Sequence, residues 1–190
     1  MDSNRMNKVP NSDFSIGEYG GLPDQWVPFS SYPALMPVFQ LVDKEGKKAL
    51  QVNGNGSDSC VGWIASRFTL EAGKTYRMWV RFRISDGIDP QQNLVFSFWE
   101  KSATGNFNDG VFRFKRLDGN EAEGEGQFLV PCSGEMTGEI RIVYKLNPNA
   151  KVWIYEIGFA ESEPIPQRNV RVACAQGQKE GDLEFWGRVL

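Results

Sequence analysis

The chain contains no histidine at all. That excludes Ser-His-Asp and Cys-His nucleophilic centres built from its own residues, and it denies zinc its usual nitrogen ligand. Cysteine is scarce too: Cys60, Cys132 and Cys174 are odd in number and far apart, so no disulfide framework is expected. No apolar run approaches the roughly 20 residues that span a bilayer. The polar start, MDSNRMNKVPNSD, has no signal-peptide core, which leaves the compartment unknown and cytoplasmic only by default. Neither charge dominates. Twenty-one basic and 24 acidic side chains, mixed along the chain, sum to −3 and argue against nucleic acid and membrane as partners.

Aromatic residues, by contrast, are plentiful. Thirteen Phe, six Trp and five Tyr in 190 residues suit one packed domain with a short remainder. Residues 1 to about 37 are rich in Pro, Gly, Ser and Asn and read as a strand-poor lead-in, with turns at Gly20-Gly21, Pro33 and Pro37. Short runs follow, separated by turn chemistry: Val38–Val42, Ala49–Val52, Cys60–Leu70, Thr75–Ile84, Leu94–Trp99, Val111–Leu117, Gly126–Val130, Ile140–Leu146 and Val152–Phe159. About nine short strands with no convincing helix between them predict an all-β fold, an antiparallel β-sandwich of jelly-roll type.

Parity within strands separates core from surface. In TYRMWVRFRI, residues Tyr76, Met78, Val80, Phe82 and Ile84 share one face, and Thr75, Arg77, Trp79, Arg81 and Arg83 the other. Phe112 and Phe114 likewise oppose Arg113 and Lys115, and Ile142 and Tyr144 oppose Arg141 and Lys145. These outward cations form one basic face if their strands are neighbours; the favoured alternative is a solvated sheet face balanced by nearby Glu. EAEGEG (Glu121–Gly126) reads as a mobile acidic loop. ESEPIPQ (Glu161–Gln167) marks a linker over 161–168, because its prolines cannot donate to a sheet.

Two resemblances follow. VPNSDF, Trp26, KKALQV, FTLEAGKTYRMWVRFR and KVWIYEIGF, taken in order, make residues 9–160 of a domain spanning 1–160 resemble the carbohydrate-binding-module-like β-sandwiches. Glu156 stands where that group more often has Asp. The closing VRVACAQGQ resembles the first strand of the carbon–nitrogen hydrolases, the nitrilase superfamily, with a helix starting near Asp182. Residues 169–190 would then be the truncated start of such a domain, whose catalytic Glu, Lys and Cys match no position here. Cys174 sits inside that strand as a small buried hydrophobe.

Sugar binding needs flat aromatic surface beside polar groups that fix orientation. Trp79, Trp63 and Trp99 are the candidates by strand parity, with Arg81 next to Trp79. The first resemblance also implies a structural calcium ion near the N-terminal segment and last strand, for which it puts forward Asp13 and Glu156. No acid pair suited to glycoside hydrolysis is apparent, so no catalytic residue is assigned. The expected function is a non-catalytic accessory module with a glycan as partner, acting in cis with a downstream carbon–nitrogen hydrolase domain. The alternative is a docking domain that packs on that hydrolase and binds no sugar.

Overall fold

Strand after strand forms where an apolar run is bounded by turn residues. The structure, a computed structural model, describes residues 6–101, 113–116, 120–130 and 135–163. Within them lie β1 (Val27–Phe29), β2 (Val38–Lys44), β3 (Lys47–Asn53), β4 (Val61–Glu71) and β5 (Thr75–Ile84). A single helical turn, α1 (Pro90–Asn93), leads into β6 (Leu94–Lys101). Then come β7 (Arg113–Arg116), β8 (Glu121–Leu129), β9 (Glu135–Lys145) and β10 (Lys151–Glu161). No described helix is long and apolar enough to cross a membrane. The expected linker beyond Glu163, the strand Val170–Ala175 and the helix from Asp182 lie outside the described residues.

The strands make two antiparallel sheets. The smaller runs β1-β4-β9-β6, and the larger β2-β3-β10-β5-β8-β7. Turn chemistry pins the register at the outset. In the β2–β3 hairpin, Glu45 and Gly46 both take positive φ (57° and 78°), the mirror-image turn whose twist matches paired strands. Asp43 Oδ1 accepts a hydrogen bond from the Gly46 amide at 2.9 Å and closes it.

The inner faces meet over an aromatic centre. Phe159 of β10 stacks on Phe98 of β6 at 4.5 Å and on Tyr76 of β5 at 5.0 Å, with Phe68 at 5.5 Å. Ile64, Phe96, Ile140 and Ile142 from one sheet and Met78, Val80, Phe82 and Ile157 from the other are essentially inaccessible to water. Burying each such side chain contributes about 1.5–3 kcal/mol, which is why this face of every strand tolerates no charge.

The lead-in is bound to the sandwich rather than trailing from it. Val9, Phe14 and Trp26 are buried, and Trp26 Nε1 donates to the Asn11 carbonyl at 3.2 Å. Lys8 donates its amide to the Phe159 carbonyl and Ile157 donates to the Ser12 carbonyl, so this segment lies against β10 where β3 no longer pairs. Gly20 and Gly21 exchange backbone hydrogen bonds with Leu41 and cover the outer edge of β2. Hydrogen bonding of this irregular kind has no hydrophobic period, so its sequence reads only as turns.

One expectation needs correction. EAEGEG is a strand, β8, paired along its length with β5 from Glu121↔Arg83 to Gly126↔Met78. Ala122 and Gly124 are buried, so the small residues meet the core, while Glu123 and Glu125 are exposed and Glu121 partly so. Acid–glycine alternation conceals a strand from any hydrophobicity count. The condition for a single basic face is not met, and the favoured reading, a solvated face balanced by Glu, fits the Arg–Glu pairs of the larger sheet. Arg77, Arg81 and Arg83 are on the larger sheet, whereas Arg141 and Lys145 are on the smaller one, facing the other way. The side chains of Arg113 and Lys115 and the inward placement of Phe112 and Phe114 fall outside what is described.

Candidate functional site

Alternation along β5 sends Arg77, Trp79, Arg81 and Arg83 to the outer face of the six-stranded sheet. Their neighbours across β8 are acidic. Arg77 pairs with Glu125 at 2.6 Å and Arg81 with Glu121 at 3.4 Å, while Arg83 reaches Glu45 of the β2–β3 turn at 2.7 Å. All are well exposed, so each pair adds little stability; together they cancel the arginines' charge and hold the side chains in place.

Trp79 lies at the centre of this ladder. Its cross-strand partner on β10 is Gly158, and the indole occupies the space above it. Indole Nε1 donates to Glu156 Oε1 at 2.8 Å, which fixes the ring's rotation. Glu156 faces the same way as Trp79 because β10 carries a bulge: Ile154 pairs with Phe82 and Glu156 with Arg81, leaving Tyr155 as the extra residue.

Trp153, also on β10, shares this face and was missed by the sequence reading. Its Nε1 donates to Gln51 Oε1 at 2.9 Å, and Lys44 Nζ lies 4.6 Å above the ring. The signal was available: Trp153 has the parity opposite to Val152 and Ile154, both buried.

Trp63 and Trp99 have the outward parity expected of them, but on the opposite side of the molecule. They belong to β4 and β6 of the four-stranded sheet, with β9 between them. The Arg141 guanidinium sits 5.1 Å from the Trp63 ring and 4.1 Å from Trp99, bridging the two. Phe29 packs on Trp63 at 4.6 Å. The four candidate residues are therefore two groups: Trp79 with Arg81, and Trp63 with Trp99.

Arg141 is held by Glu139, which accepts from Arg141 Nε on one oxygen and from Arg67 Nε on the other. Burial alone would raise the Glu139 carboxyl's pKa. The two arginine hydrogen bonds outweigh it and hold the group below the usual carboxylate range.

The two acids put forward for calcium are engaged separately. Asp13 accepts from the Ser15 amide at 3.1 Å, and Ser15 holds its carboxyl below the ordinary range. Glu156 is committed to Trp79. No group of three Asp, Glu, His or Cys side chains able to hold a metal converges among the described residues. The donor set at Asp13 and Glu156 thus does not fit a calcium site made by side chains.

No protein-family model matches the chain, and no curated protein matches it. Solved structures do. The xylan-binding first CBM22 domain of Paenibacillus barcinonensis Xyn10C superposes with a TM-score of 0.53 at 12% identity, covering 81% of this chain and 94% of that one. The CBM22-1–GH10 modules of Clostridium thermocellum xylanase 10B, complexed with xylohexaose, give 0.56 at 15% identity, over 82% of this chain and 28% of that chain. The enzymatically active domain of tailspike protein 4 from bacteriophage CBA120 gives 0.59 at 10% identity, over 82% of this chain and 21% of that one. At such identities the likeness is one of fold: a β-sandwich of the carbohydrate-binding-module kind.

Proposed function

We propose that this chain is a non-catalytic glycan-binding module whose ligand lies across the outer face of the six-stranded sheet, on Trp79. One observation carries the reading. Among the five described tryptophans, Trp26 is buried, Trp63 and Trp99 are bridged by Arg141, and Trp153 lies under Lys44. Trp79 alone is half-buried with no ring or cation stacked on it among the described residues. One indole face rests on Gly158, and the other is the surface on which a sugar ring would stack. A pyranose stacks its C–H face on such a surface, and hydrogen bonds to its hydroxyls set orientation. Glu156, Arg81 and Glu125 are placed around the ring to make them.

The fold neighbours' ligands suggest xylan as the first polysaccharide to test. Retardation of the chain in xylan-containing gels is expected, and Trp79→Ala should remove it, at a loss of roughly 1–3 kcal/mol for one aromatic contact. If neither xylan nor other neutral polysaccharides slow the chain, the docking reading replaces this one.

An accessory position ahead of a carbon–nitrogen hydrolase domain is the finer part of the proposal. It is supported by the VRVACAQGQ stretch alone. The coding sequence after Leu190 tests it: a Glu, a Lys and a Cys in the superfamily's order support it, and an unrelated continuation removes it.

A further inference from the structure

The four-stranded sheet carries a groove of about 400 Å³ on its outer face, on the opposite side from Trp79. Val27, Phe29 and Trp63 form its apolar part, and Arg67, Glu139 and Arg141 its charged part. Such a volume lies at the low end for ligand pockets, enough for about one or two sugar rings.

Two features of the groove point to an occupant. The first is electrostatic. Glu139 takes Nε from both Arg67 and Arg141, and their terminal guanidinium nitrogens have no hydrogen-bond partner among the described residues. Two positive groups against one negative leave the groove cationic. Free paired guanidinium nitrogens are suited to a carboxylate, which they can grip in bidentate fashion. The second is apolar. Val27 is 66% exposed and Phe29 51%, unusually open for residues lining a recess. A ring resting on them keeps its far side in water, which suits a polyhydroxylated ring better than a wholly apolar one.

We propose that this groove binds a uronic-acid sugar, its carboxylate taken by Arg67 and Arg141 and its ring face by Val27 and Phe29. Glu139 is a positioning residue that holds both guanidinium groups in register. The inference is independent of the Trp79 reading, because the two sites face away from each other on different sheets.

Affinity electrophoresis of the full chain in polygalacturonate, and in the same polymer with its carboxyls reduced to alcohols, tests it. Retardation is expected in polygalacturonate only. Free galacturonate should relieve it and galactose should not. Arg67→Ala, at a side chain 76% exposed and so harmless to folding, should weaken binding about tenfold. The charge-matched control Lys151→Ala should leave it intact. Equal retardation by the reduced polymer, an inert Arg67→Ala, or an equal loss from Lys151→Ala would overturn the proposal. So would failure of galacturonate to compete, which would point to an acidic protein surface instead.

Discussion

Gly158 lies beneath the indole of Trp79 so closely that a methyl group there would stand 2.1 Å from Trp79 Cζ2 and 2.3 Å from Cε2. The ring can lie against the sheet only because its partner has no side chain. Gly158→Ala should swing the indole away, shift tryptophan emission, and weaken polysaccharide retention nearly as much as Trp79→Ala. Thermal unfolding should change little, since the displaced ring moves into solvent. Retention equal to wild type would show that ring orientation is irrelevant to binding.

Glu139→Gln should destabilise the protein by about 1 kcal/mol at neutral pH, through two weakened charge-assisted hydrogen bonds. The folded carboxyl's pKa lies below its ordinary 4.5. Its contribution is therefore present above the unfolded value and is lost as pH falls through the folded one. Urea unfolding at several pH values should show the gap between variant and wild type closing as pH falls below the carboxyl's ordinary 4.5. A gap that persists in acid would assign the effect to packing.

Tyr144 is fully buried and donates its hydroxyl to the Ala150 carbonyl at 2.8 Å. Tyr144→Phe should cost roughly 1 kcal/mol at neutral pH, the net worth of one hydrogen bond. Burial, with a smaller push from Cys60, raises the phenol from 10.0 to about 12. A raised pKa stabilises the folded state below the unfolded value, and that advantage drains away as pH rises from 10 towards 12. The alkaline decline in stability should accordingly be shallower in the Phe variant. Parallel curves would rule Tyr144 out as its source.

Ser66 Oγ is buried with no hydrogen-bond partner among the described residues, on a β4 position opposite Ile140. Ser66→Ala removes an unpaired hydroxyl and should raise stability by about 1 kcal/mol. A lower unfolding midpoint in the alanine variant would mean that an ordered water or a shifted rotamer satisfies the hydroxyl.

The fold was legible wherever hydrophobic alternation was strong. Each of the nine anticipated runs overlaps a strand among the described residues, and Tyr76 to Ile84 shows why: one face is buried and the other wet. What was hidden lacked that period. β1 has three residues with Pro28 in the middle, and β8 buries Ala122 and Gly124 in place of large side chains. The site was half legible. Parity turned Trp79, Trp63 and Trp99 outward, yet parity is a property of one strand and cannot say which sheet the strand joins. Only the crossover order, with β4 and β6 flanking β9 while β5 sits between β10 and β8, separates Trp79 from the other two.

The extra residue at Tyr155 has a consequence for how this face can change. Before it, odd-numbered positions of β10 such as Trp153 look outward; after it, even-numbered ones such as Glu156 and Gly158 do. The strand is written in two frames joined at a single residue. Removing Tyr155 would erase the bulge and leave one unbroken alternation, with Ile154, Ile157 and Phe159 still inward and Glu156 and Gly158 still outward. The smooth floor under Trp79 is a matter of counting as much as of chemistry. Loss of the extra residue leaves the floor in place, whereas a single insertion or deletion between Glu156 and Gly158 turns Gly158 away from Trp79, so the count matters after the bulge and not at it.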